Sequence, residues 1–311
     1  MLAVLVAALP AARAADPDGQ ESPAVETTVE VRRVVWPVLV EPRAGADRDA
    51  CTDMTPDDVV VTEAGLPVRV TAVAPGRPRT LHAIVIDVSG SMAGRLAEAR
   101  SAAIDYVDAL PRDEPAALWA FSDEVRLLAP PGTDRARLRR AIARLQPVHG
   151  TALWDALRFV LEMLAAWPDR KAILLVTDGA DSTSLADDAE SRAFAALRHE
   201  DPVTVFPLAL DMSSRADRGP RAPLASLRRL AAETGGSLID VPDAAHFRRA
   251  LDDIRRRLDA EWTVTWTATA RAPGTPRPVR IRARRGAPCR VRSAGPRLRV
   301  PSPPPLPPPR R

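Results

Sequence analysis

Five oxygen-bearing residues stand where they could hold a hard cation. Asp87, Ser89 and Ser91 alternate in the run Asp87-Val88-Ser89-Gly90-Ser91-Met92, Thr151 follows His149-Gly150, and Asp178 falls in Val176-Thr177-Asp178-Gly179. Three hydroxyls and two carboxylates make an all-oxygen set, which suits Mg²⁺ or Mn²⁺ rather than Zn²⁺. Singly, each residue has an ordinary reading: Ser91 and Thr151 as helix N-caps, Asp178-Gly179 as a turn. Asp155 and Asp181 read as acids favouring helix N-termini and stay outside the set. His149 reads as a solvated loop residue.

These runs need elements to bring them together. Leu81 to Val88 and Ile173 to Val176 are nearly continuous apolar runs, as expected of strands buried on both faces. Helical spacing appears over residues 95–110, from Asp134 to Leu145, after Thr151 (Leu153, Leu157, Val160, Leu161, Leu164), over 187–199 and 223–234, and at Phe247, Leu251, Ile254 and Leu258. Further short strands fall at 117–121, 125–128, 203–210 and 238–241. Strands alternating with helices predict a doubly wound, mostly parallel α/β sheet over residues 81–259. Each oxygen-bearing run then lies at the carboxyl end of a strand or in a loop entering a helix, where open sheets of this kind bind ligands.

The ordered set Asp87-x-Ser89-x-Ser91, Gly150-Thr151-Ala152-Leu153-Trp154-Asp155-Ala156-Leu157 and Thr177-Asp178-Gly179-Ala180-Asp181 resembles the metal-ion-dependent adhesion site of von Willebrand factor A (vWA) domains. The resemblance implies that Ser89, Ser91 and Thr151 ligate the ion directly, while Asp87 and Asp178 act mostly through bound water. It also implies an open coordination position that a carboxylate from a protein partner fills. His149 departs from the family, which usually has glycine there. Residues 55–68, and 227–266 with Glu233-Thr234-Gly235-Gly236, are similar to a bacterial group of vWA-related proteins.

The flanks have a different pattern. Val29 to Val40, interrupted by Pro37, then residues 59–62 and 68–73, read as β-strands; so do Trp262 to Thr269, Val279 to Ala283 and Cys289 to Arg292. Each set alone is too small for a stable sheet. Together, residues 29–80 and 260–300 predict one small all-β sandwich into which the α/β domain is inserted. Cys51 and Cys289 fall one in each half, where a disulfide would staple them. Arg280, Arg282, Arg284, Arg290 and Arg292 fall on one face if the strands run as read, a face that could hold anionic polysaccharide or lipid. Residues 301–311, PSPPPLPPPRR, read as an extended, disordered tail.

Composition narrows the function. The chain has 311 residues, 44 Lys+Arg and 40 Asp+Glu, with a formal net charge of +4. All acids lie before residue 271, and residues 271–311 hold twelve arginines, so an acidic body carries a basic C-terminal segment. No aromatic residue interleaves with those arginines as single-strand nucleic-acid binders require. Two cysteines are too few for a disulfide scaffold. No G-x-S-x-G, phosphate loop, G-x-G-x-x-G or H-E-x-x-H is present, and no histidine has a triad-like setting. No apolar run is long enough to span a membrane. Leu2 to Leu9 followed by Ala12-Arg13-Ala14 reads as an export signal over residues 1–14, with a flexible mature terminus at 15–28. The expectation is an exported, non-catalytic, metal-dependent binding module of the periplasm or cell surface.

Overall fold

The computed structural model describes residues 2–8, 28–44, 51–76, 78–148, 150–167, 169–179, 181–184, 190, 193, 203–210, 222–268, 277–293 and 299–300. The helix expected over 187–199 falls almost wholly outside these residues; His149, the Ala12-Arg13-Ala14 segment and the tail at 301–311 lie outside them too.

An α/β layer forms the larger part. Its strands are β6 (Thr80–Asp87), β7 (Ala116–Phe121), β8 (Val125–Ala129), β9 (Arg170–Thr177), β10 (Val203–Leu210) and β11 (Ile239–Val241), in the spatial order β11-β10-β9-β6-β7-β8. All neighbours are parallel except β7 and β8, which form an antiparallel edge. Every residue of β6, β7 and β9 is buried because helices cover both faces. Ile84, Ile86, Leu174, Val176 and Phe206 share one core with α1 (Leu96–Ala109), α2 (Arg135–Ala143) and the last helix of the layer (Ala244–Asp259). Leu81, Ala83, Val85, Ile173, Leu175 and Val205 share the other with α3 (Leu153–Leu164) and α4 (Ala222–Thr234). The last helix is called α5.

Local chemistry sets the helix ends. Asp134 and Asp243 cap α2 and α5 by accepting from the Arg137 N–H (3.0 Å) and the His246 N–H (2.8 Å). The bond from His246 holds the Asp243 carboxyl down at about 2. Helix α4 stops at Gly235-Gly236, as its sequence suggests. A Cβ on Gly236 would lie 1.8 Å from the Val205 carbonyl oxygen, so only glycine lets the helix end rest on β10. Buried His82 bridges the Tyr106 hydroxyl and the Glu114 carboxylate, 2.8 Å from each. Two histidines thus have acid partners, His82 and the exposed His246, whose Nδ1 lies 2.8 Å from Asp243 Oδ2. In the buried trio Tyr106 comes from α1 and His82 lies five residues back along β6 from Asp87, so the trio ties β6 to α1.

The flanks pair as one sandwich. One sheet contains β1 (Leu2–Ala8), β2 (Thr28–Pro42), β12 (Glu261–Thr267) and β5 (Val70–Pro75), with β14 (Cys289–Ser293) also on β2. The other has the order β15 (Arg299–Val300), β13 (Arg277–Ala283), β3 (Val59–Glu63), β4 (Leu66–Val68). Their inner faces share a core of Val34, Trp36, Val38, Val59, Val61, Val264, Trp266, Val279, Ile281 and Val291. Strand β2 runs unbroken through Pro37, because β1 covers residues 28–34 and β14 covers 38–42 of one edge, and Pro37 falls in the gap between them. Residues 2–8, read in the sequence as part of an export signal, form an edge strand on β2. Cys51 and Cys289 are joined, with Cα atoms 5.8 Å apart. The α/β domain enters after β5 and leaves before β12, so the chain crosses between the two parts twice.

The five arginines do not share a face. Arg280, Arg282 and Arg284 are exposed on or just after β13, whereas Arg290 and Arg292 are exposed on β14, which belongs to the other sheet. Alternation correctly separated core from solvent along β13 and β14. It carried no information on which sheet each strand joins.

Candidate metal centre

Strand β6 delivers Asp87 to the carboxyl edge of the sheet, and the chain then leaves it in a single turn. Asp87 is 0% exposed and Ser89 1%. One Asp87 oxygen, Oδ1, accepts the Ser89 N–H at 2.8 Å, which folds the Asp-x-Ser turn back on itself. The other, Oδ2, accepts the Thr177 hydroxyl at 2.8 Å. Ser89 Oγ and Ser91 Oγ are 3.1 Å apart, so the alternation of the motif brings two hydroxyls together. Residues 90–92 form one 3₁₀ turn, and α1 starts only at Leu96. Ser91 is thus no cap of α1, and its hydroxyl is available beside Ser89.

The other two runs arrive on neighbouring loops. The Val148 N–H donates to the Val88 carbonyl and the Ala152 N–H to the Ser122 carbonyl, each at 2.6 Å. The segment carrying Thr151 is therefore pinned to the loops after β6 and β7. The Thr151 carbonyl accepts from the Ser182 and Thr183 N–H groups at 2.8 and 3.0 Å, which fixes the loop after β9 against it. Thr151 is buried, and the N-cap of α3 is Ala152 rather than Thr151. Its hydroxyl is not spent on capping. Asp178 directly follows β9 and is 9% exposed.

The sequence reading missed two supporting groups. Thr177 donates to Asp87 while its own hydroxyl accepts the Gly179 N–H at 3.0 Å, so it aims the Asp87 carboxylate. Ser122 holds the Thr151 loop by its carbonyl and donates from its hydroxyl to Asp123 Oδ1 at 2.8 Å. A hydroxyl or carbonyl acting through a second residue leaves no spacing signal in a sequence; the threonine inside Thr177-Asp178-Gly179 was the one available hint.

Electrostatics favour a cation here. Burial pushes the Asp87 carboxyl up to about 6. The hydrogen bonds from Ser89 and Thr177 oppose that rise, and the charge of nearby Asp178 adds to it. Among the described residues no three His, Cys, Asp or Glu side chains converge, so a cation at this edge would depend on hydroxyl oxygens. The donor set fits that requirement: two hydroxyls in contact, a third on the adjoining loop, and buried carboxylate charge behind them.

Gly150 fixes the approach of the third loop. Its φ is +81°, and an added Cβ would lie 2.9 Å from the Asp123 Cβ. Gly150→Ala should cost about 1–3 kcal/mol in urea unfolding, from left-handed backbone strain and the displaced Asp123. It should also weaken any stabilisation by Mg²⁺, because Thr151 follows directly.

The site is an oxygen-lined crevice at the carboxyl edge of an open α/β sheet, reached by Asp-x-Ser-x-Ser, Gly-Thr and Thr-Asp-Gly loops. Residues 82–180 match the family model of the von Willebrand factor type A domain. The chain is also similar to a UPF0353 protein of Mycolicibacterium paratuberculosis, 33% identical over 135 residues, which are 39% of this chain and 40% of that one. The match thus spans about two fifths of that relative's length. Among solved structures, it is similar to a von Willebrand factor type A protein from Catenulispora acidiphila, with 16% identity and a TM-score of 0.50, covering 87% of this chain and 74% of that chain. At that identity the likeness concerns the fold, which extends beyond the α/β layer into the flanks. No helix among the described residues is long and apolar enough to cross a membrane.

Proposed function

We propose that the chain is an exported, non-catalytic binding module that grips a protein partner through Mg²⁺ or Mn²⁺. Ser89, Ser91 and Thr151 would hold the ion, with Asp87 and Asp178 supplying charge behind them, and a carboxylate of the partner would complete the coordination. The observation that carries this reading is the buried Asp87 carboxylate beside the Ser89–Ser91 hydroxyl pair. Burying an anion with no cation partner is unfavourable, and three uncharged hydroxyls leave a divalent ion's charge incompletely balanced. The module then acts at the cell surface or in the periplasm.

Titration of purified protein with MgCl₂ or MnCl₂ tests the ion. At a concentration one hundred times the dissociation constant, unfolding free energy should rise by about 2.7 kcal/mol. Asp178→Ala should reduce that gain sharply. Capture of a protein from envelope extract should then require the cation and fail in EDTA. Equal stability with and without cation, together with capture that survives EDTA, would sink the proposal.

A further inference from the structure

The outer face of the β15-β13-β3-β4 sheet carries a charge pattern that the metal centre does not use. Val279, Ile281 and Ala283 of β13 turn into the sandwich core, so Arg280, Arg282 and Arg284 point outward and are exposed. Same-face residues two apart on a strand are separated by about 6.5–7 Å, so the three form a row along the sheet. The neighbouring strands place no acid on this face. Arg280 is paired with Thr62 and Arg282 with Val60, and Thr62 is paired in turn with Pro67. Glu63, the single acid of β3, is 2% exposed and accepts the Trp266 Nε1–H at 2.8 Å inside the sandwich. Neither Arg280 nor Arg282 has an ion-pair partner among the described residues. Arg284, at the end of the row, lies near Asp58. The opposite sheet differs: Arg292 lies 3.2 Å from Glu41, which offsets its charge.

We propose that this sheet face rests on an anionic phospholipid surface. Guanidinium groups suit phosphate, and the row stands on an open sheet face rather than in a groove. Each arginine held at an anionic surface should strengthen partitioning about fivefold, and the three together about a hundredfold. The proposal is independent of the metal reading, and the experiment is run in EDTA so that the two fail separately.

Vesicles of phosphatidylcholine, with and without phosphatidylglycerol, are sedimented with the full chain at low and at physiological salt. The comparison variants are the exposed triple R280Q/R282Q/R284Q and the exposed double R290Q/R292Q on the other sheet, each checked for unchanged thermal unfolding. The expected result is binding that needs phosphatidylglycerol, weakens with salt, falls about a hundredfold in the triple and stays near wild type in the double. Wild-type chain left in the supernatant of phosphatidylglycerol vesicles would overturn the proposal. So would equal losses in the triple and the double, which would indicate net charge alone. Capture by soluble polyphosphate without vesicle binding would overturn the lipid assignment in favour of an acidic polymer.

Discussion

Asp87→Asn should make the cation-free protein more stable at pH 7.5 while abolishing its response to Mg²⁺. Asp87 is 0% exposed, and its carboxyl, raised from 3.8 to about 6, titrates well above the unfolded chain's. A folded-state value above the unfolded one means that protonation favours folding. That contribution is fully present below pH 4 and is lost as pH rises through 6. At pH 7.5 the gap of roughly two units amounts to about 3 kcal/mol held against the fold. Asparagine removes the charge and keeps an acceptor for the Ser89 N–H. It loses the acceptor that Thr177 uses, so the net gain should lie between about 1 and 3 kcal/mol. Urea unfolding in EDTA at pH 7.5 and at pH 5 measures it, and the advantage of the variant should shrink by about half at pH 5. With MgCl₂ present the order should reverse, because the wild type gains binding energy and the variant does not. A variant no more stable than wild type in EDTA, or an advantage independent of pH, would refute the account of Asp87.

The candidate ligand residues were marked by their spacing in the sequence, and the residues that support them were not. Asp87, Ser89 and Ser91 reveal themselves because their alternation and the strand before them lie within one short run. Thr177 and Ser122 support Asp87 and the Thr151 loop through single hydrogen bonds across the sheet edge, and nothing in local spacing marks them. Both cap assignments at the site were too ordinary. Ser91 and Thr151 have cap chemistry, yet the helices begin five and two residues later, so neither hydroxyl caps a helix. The sandwich was legible because neither flank has enough strands to stand alone, whereas the partition of its strands between two sheets depends on long-range pairing. That partition separates Arg280 and Arg282 from Arg290 and Arg292, and it replaces one broad basic face by two of different character.

The second large effect should come from Arg170 and Glu261, where the α/β domain meets the sandwich. Arg170 begins β9 and is 0% exposed; Glu261 begins β12 and is 3% exposed. Arg170 Nη2 donates to Glu261 Oε1 at 2.6 Å and to Thr204 Oγ1 at 3.1 Å. The Glu261 carbonyl accepts the Gly76 N–H at 3.0 Å, and Thr263 Oγ1 donates to the Gly76 carbonyl at 2.8 Å. The ion pair therefore sits where the two chain crossings are tied together. Removing one partner strands a charge in the interior, which typically costs 3–5 kcal/mol. Arg170→Met and Glu261→Leu should each lose about that much in urea unfolding. The double variant should lose much less than the two losses added, because apolar groups can replace a buried pair at little cost. The pair also determines whether the two parts unfold together. Each single variant should broaden the transition or split it in two, read by tryptophan fluorescence, since Trp119 and Trp154 report on the α/β core and Trp36 and Trp266 on the sandwich. Additive losses in the double variant would mean that the two charges are held by other groups and not by each other. A single sharp transition in every variant would mean that the double crossing of the chain, and not the ion pair, couples the α/β domain to the sandwich that carries the arginine row.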